Sequence, residues 1–142
     1  MATNQAPIPD LAHAFDLEIA RGVPVEVGCL ASGGVRTYLP VKGGRFVGEG
    51  MAGTLVSGGE TLFRRANGVT VVEAVYYIQN QDGWVARAFG NGYQTSDGDF
   101  IGTRMTLLFE ADESGPLAHL ATSAFVAEQL PGSDTIAISR II

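Results

Sequence analysis

Hydrophobic and polar residues alternate with a period of two along much of this chain. In residues 14–20, Phe15, Leu17 and Ile19 are interleaved with Asp16 and Glu18, the pattern of a strand with one buried face. Residues 69–79, VTVVEAVYYIQ, are rich in β-branched and aromatic side chains and end at NQDG. The run WVARAFG begins directly after that turn, and an Asp-Gly pair between two such runs predicts a hairpin. Further strands are expected over residues 100–110, 123–128 and 135–142. Only SGPLAHLA, residues 114–121, reads as helical, with Ser or Gly as a cap and Pro116 at a first helical position. Short strands, Gly-rich turns and almost no helix predict an all-β fold. The expected form is a single antiparallel barrel with one short helical segment near residues 116–121. A sheet wrapped on itself has an interior for side chains or a small ligand.

The stretch PVKGGRFVGEGMAGTLVSGGETLF, residues 40–63, carries Gly43, Gly44, Gly48, Gly50, Gly53, Gly58 and Gly59. A phosphate-cradling loop needs a strand, the glycines, then a helix amino terminus. Here a strand-like run follows, without a Lys-Ser/Thr ending. A linker is excluded by Phe46, Val47, Met51, Leu55 and Val56, which are core-type residues. The remaining reading is strands bent at glycines, as small barrels require. On it, Gly58-Gly59 forms a tight turn that delivers Glu60 to a strand end.

Length and composition narrow the function classes. The chain of 142 residues is read as one domain, residues 1–142, with residues 1–13 as an amino-terminal arm. Hydrophobic residues make up 46% and charged residues 17%, which argues against disorder. Acidic residues outnumber basic ones by 15 to 9, for a formal charge of −6. No Lys/Arg run stands out, so neither nucleic acid nor an anionic membrane is an expected partner. Cys29 is the single cysteine and is read as a small buried apolar residue; with His13 and His119 far apart, no metal site is expected. The amino terminus lacks the n- and h-regions of a signal peptide, which makes the cytoplasm the expected location.

Taken together, PVKGGRFVGEGMAGTLVSGGET, VEAVYYIQNQDG, GTRMTLLFEA and HLATSAFVAE resemble, in order over residues 15–142, a family of small single-domain proteins. It is catalogued as domain-of-unknown-function family thirty-two thirty-seven and has a PITGG…GGAD-like signature. The resemblance implies an antiparallel barrel similar in shape to lipocalins and allene oxide cyclases, often oligomeric, and no settled reaction. Glu60 stands at the Asp of GGAD, Glu73 at the acidic position before the Tyr, and Arg104 at the Arg of the F-R-T segment. Val75 replaces a usual Arg, Thr61 an aromatic, and His119 and Ala121 the Trp and Asn of W-L-N, so chemistry at these positions is retuned here.

The candidate chemistry centres on carboxylates. Val71, Glu73, Val75 and Tyr77 share one strand face, and Val72, Ala74, Tyr76 and Ile78 the other. If the first face is interior, burial raises the pKa of Glu73 toward the range of a general acid or base. The alternative is a solvated glutamate, or one paired with an arginine. Glu60 is expected at the cavity mouth and Glu73 deeper. His119, in an apolar turn, is a third acid–base candidate, although a structural histidine fits as well. Arg87 and Arg104 are candidates to hold a substrate oxygen, with Tyr77, Tyr38, Trp84 and Phe89 as substrate contacts.

Three functions fit these residues. One is a cofactor-independent enzyme, an isomerase, cyclase or hydratase-lyase acting on a small hydrophobic carbonyl compound. The others are a non-catalytic binder of an apolar ligand and an oligomerising accessory domain. The apolar carboxyl terminus IAISRII suggests a homodimer or higher homo-oligomer, the alternative being that the terminal strand closes the barrel and consumes those side chains.

Overall fold

A computed structural model describes residues 5–142. The strands are β1 (Leu11–Arg21), β2 (Val25–Cys29), β3 (Val35–Gly48), β4 (Met51–Arg64), β5 (Thr70–Asn80), β6 (Val85–Thr95), β7 (Gly102–Ala111), β8 (Phe125–Gln129) and β9 (Thr135–Ile141). They form one antiparallel sheet in the order β1-β9-β8-β7-β6-β5-β4-β3-β2, and a β1–β3 pairing closes it into a barrel. β3 serves twice: its first residues pair with β2 and its last with β1. β2, which the alternation did not predict, therefore lies outside the ring as a flap on β3. The expected helical segment is a single 3-10 turn, Ala118–Thr122. No helix among the described residues is long and apolar enough to cross a membrane.

Each buried file is one face of a strand. Phe15, Leu17 and Ile19 point inward from β1, Val72, Ala74, Tyr76 and Ile78 from β5, and Met105, Leu107 and Phe109 from β7. Phe15 meets Phe46 and Phe109 edge to face, with centroids 5.9 and 6.0 Å apart, and Phe109 meets Phe125 at 5.0 Å. Aromatic contacts of this kind add about 0.5–1.5 kcal/mol each beyond area burial. This cluster fills one half of the barrel, where the 3-10 turn adds Leu117 and Leu120.

Two expectations are corrected here. Residues 11–13, assigned to an arm, belong to β1 and pair with β9, while residues 1–4 of that arm lie outside the described residues. Cys29 is exposed, because β2 has no second layer over it. The apolar carboxyl terminus is largely consumed by closure: Ile136 and Ile138 face the core and β9 zips onto β1. Exposed apolar side chains sit instead on the outer wall, among them Val56, Tyr77, Phe89 and Leu108.

The glycine-rich stretch is two long strands joined at Glu49-Gly50. Gly58 and Gly59 are not a turn; both pair with β5 inside β4. The β4–β5 register slips between Leu55 and Ser57, leaving Val56 as an extra residue. Such a bulge switches strand parity. Leu55 points inward before it, and Glu60 points inward after it, although five positions separate them. Gly58 follows the bulge with φ +149°, and a Cβ there would lie 2.3 Å from the Val75 carbonyl oxygen. Gly58→Ala is expected to destabilise the protein by about 2 kcal/mol or more, seen as a lower denaturant midpoint at unchanged slope.

Candidate functional site

The half of the barrel away from the aromatic cluster is open and holds a cavity of about 750 Å³. Its walls include Leu39, Leu62 and Val72, and its polar lining includes Arg21, Glu60 and Gln129. Glu60 is the single buried charged residue among the described residues, 3% exposed. Arg21 continues the inward file of Phe15, Leu17 and Ile19. The β1–β3 register slips beside it, because Lys42 is an extra residue on β3. Tyr76 belongs to the inward file of β5, opposite Ala88 on β6, whose small side chain leaves room for the phenol.

These side chains form one network. Arg21 donates Nε–H to Glu60 Oε1 and Nη2–H to Glu60 Oε2 at 3.0 Å. Nη2 also donates to Gln129 Oε1 at 2.7 Å, and Gln129 Nε2 donates to the Ser133 carbonyl at 2.6 Å. The Tyr76 hydroxyl donates to Glu60 Oε2 at 2.5 Å. Every buried side-chain polar atom among the described residues has a partner, as a low-dielectric network requires.

Burial, followed by the negative charge of Glu60, pushes the Tyr76 phenol well above its ordinary pKa, so it stays a donor. Burial alone would lower the pKa of Arg21, but the hydrogen bonds and charge of Glu60 outweigh it and hold the guanidinium in its charged form. The two Nη1 N–H groups of Arg21 make no hydrogen bond to a described residue, and the side chain lines the cavity. On the carboxylate, Oε2 accepts two hydrogen bonds and Oε1 accepts one. Oε1 is therefore the oxygen with acceptor capacity left. The site holds a cation with free donors beside a carboxylate with a free lone pair.

Of the residues singled out from sequence, the cavity takes Glu60 alone, and deep in the wall rather than at a strand-end turn. Glu73 lies on the outer wall: the β5 face turned inward is that of Val72, Ala74 and Tyr76. The outer face of β5 is itself apolar, which made the two faces alike by composition. Glu73, Tyr77, Tyr38 and Phe89 do come together, but in a shallow outer groove. Arg87 pairs with Glu110 at 3.1 Å and Arg104 with Glu128 at 3.2 Å, both on the outside. Trp84 packs on Gly115 at the closed end, and the exposed His119 is bonded through Nδ1 to the Pro116 carbonyl oxygen. Arg21 and Gln129 were not anticipated. Arg21 could have been found by extending the Phe15-Leu17-Ile19 alternation two residues.

Fold and site together define a small antiparallel barrel with an open cavity built around a carboxylate–guanidinium pair whose carboxylate is buried. A family profile matches residues 9–100, and the chain belongs to that family, proteins of unknown function termed DUF3237. Nothing among proteins of curated function matches the chain. Among solved structures it is similar to a conserved protein of unknown function from Rhodopseudomonas palustris (TM-score 0.80, 23% identity, 96% of this chain and 100% of that one). It is similar also to a protein of unknown function from Clostridium acetobutylicum (TM-score 0.82, 20% identity, 97% and 100%). A third similar structure is that of an enzyme from Penicillium herquei (TM-score 0.81, 18% identity, 100% of both chains). At these identities the likeness establishes the barrel.

Two measurements check the network. Arg21→Met leaves Glu60 buried without its counter-charge and is expected to cost about 3 kcal/mol of unfolding free energy. The double change Arg21→Met/Glu60→Leu is expected to recover most of that loss, and additive losses would contradict the pairing. Tyr76 binds its proton more tightly folded than unfolded. Its contribution is therefore intact below the unfolded phenol pKa of about 10 and lost as pH rises through the higher folded value. Denaturation series above pH ~10 should show wild type losing stability more steeply than Tyr76→Phe.

Proposed function

We propose that the protein is a cofactor-independent enzyme moving a proton on a small carbonyl compound inside the barrel cavity. The observation carrying this reading is the pairing, at one cavity wall, of a carboxylate oxygen with a free lone pair and a guanidinium edge with free N–H groups. Glu60 Oε1 takes a proton from the carbon next to the carbonyl. The C–H electron pair moves into the enolate, and Arg21 Nη1 donates hydrogen bonds to its oxygen. Return of the proton at another position gives an isomer, while attack of the enolate carbon on a second carbonyl of the same molecule breaks that C=O π bond, its oxygen takes the proton back from Glu60, and a ring results. Tyr76 and Gln129 are positioning residues: Tyr76 orients the Glu60 carboxylate and Gln129 orients Arg21. The apolar walls of Leu39, Leu62 and Val72 support a hydrophobic substrate and keep the local dielectric low.

A non-catalytic binder is the second reading, favoured by the three hydrogen bonds that already hold the Glu60 carboxylate. Proton exchange separates the two. A panel of enolisable aryl and alicyclic ketones is incubated with the protein in deuterated buffer and followed by proton NMR. Wild type is expected to speed loss of the α-proton signal of at least one ketone, and Glu60→Gln to slow it by about a hundredfold or more. Glu73→Gln, on the outer wall, is expected to retain exchange. No exchange above buffer, or equal exchange by Glu60→Gln, rejects the acid–base reading; ligand binding without exchange identifies a binder.

A further inference from the structure

Arg64 stands at the outer end of the inward file of β4. Glu60, Leu62 and Arg64 alternate along the strand, and all three line the cavity. At a strand rise of about 3.3 Å per residue, the Arg64 Cα lies roughly 13 Å along the wall from that of Glu60. The wall between them is apolar, formed by Leu39, Leu62 and Val72.

The charges along this wall do not balance. Arg21 and Glu60 neutralise one another, and Glu60 is the only carboxylate among the lining residues. Arg64 is therefore the charged lining residue without a counter-charge in the lining, while Asp134, just outside it, acts on Arg21. The other mouth-level side chains, Thr70, Gln94 and Thr103, are neutral donors and acceptors. Arg45, Arg87 and Arg104 each have a carboxylate partner, and Arg36 and Arg65 lie over the rings of Phe63 and Tyr93. Arg64 makes neither kind of contact with a described residue. It also borders a shallow depression beside Val35 and Gly68, which sets it at the lip of the cavity.

We infer that the substrate is an oxo acid, with a carbonyl at one end of a small apolar body and a carboxylate at the other, held by Arg64. The carbonyl end rests on the acid–base reading of Glu60 and Arg21. The carboxylate end rests on Arg64 alone. A guanidinium takes a carboxylate through two parallel N–H donors.

The probe pair is a butanoic acid carrying a para-acetylphenyl group on its terminal carbon, and the methyl ester of that acid. Titration calorimetry is run with both on wild type, Arg64→Gln and Arg65→Gln, and deuterium exchange on these and Glu60→Gln. Wild type is expected to bind the acid about fivefold or more tightly than the ester. Arg64→Gln should abolish that ratio, while Arg65→Gln should keep it. Equal affinity of wild type for the two, binding of neither, or a ratio that survives Arg64→Gln overturns the inference. Deuterium exchange on the acid distinguishes this from the reading beneath it. An Arg64-dependent ratio without Glu60-dependent exchange upholds the anion site and removes the acid–base role. Glu60-dependent exchange without the ratio does the reverse.

Discussion

The Arg21–Glu60 pair is the constraint on which the open half of this barrel depends. Taking the Glu60 carboxylate fully and the Arg21 guanidinium partly out of water costs several kcal/mol, and only good geometry with further hydrogen bonds offsets that. Those bonds come from four strands: Arg21 from β1, Glu60 from β4, Tyr76 from β5 and Gln129 from β8. A one-residue slip in any of them would turn its member of the network to the other face. The pair thus ties the register of strands on opposite sides of the barrel.

The barrel divides into two environments with different tasks. In the closed half, Phe15, Phe46, Phe109 and Phe125 interlock and leave no room for a ligand. In the open half the inward residues become smaller or polar: Ala74 and Ala88, then Gln94, Thr103 and Gln129. The aromatic half supplies the stability that lets the other half keep a cavity and a buried charge, both of which are destabilising by themselves.

The architecture was legible because period-two alternation and the Asp82-Gly83 hairpin are local signals. β2 escaped because a flap with no second layer needs no buried face. The site was half legible, for physical reasons. Both faces of β5 are apolar, so the flanks of Glu73 could not show which side turns inward; the small residues of β6 opposite Tyr76 carried that information instead. Glu60 was identified, but its depth depends on the bulge at Val56, a backbone event that residue types do not reveal. Arg21 continued a visible alternation and was hidden only because a cation at an interior position looks like the end of a strand.

The first strand pairs with both β3 and β9, and this has a consequence for the order in which the molecule can be made. As the chain emerges during synthesis, β1 meets β3 early and β9 only when the last residues appear. Arg21 can therefore engage Glu60 long before Gln129 exists to hold its other side. Until the final strand arrives, β1 lacks its second partner and the ring stays open. Non-local closure of this kind is intrinsically slow and exposes strand edges to association. The carboxyl terminus is thus the latch of the barrel, and the integrity of residues 135–141 decides whether the ring exists at all.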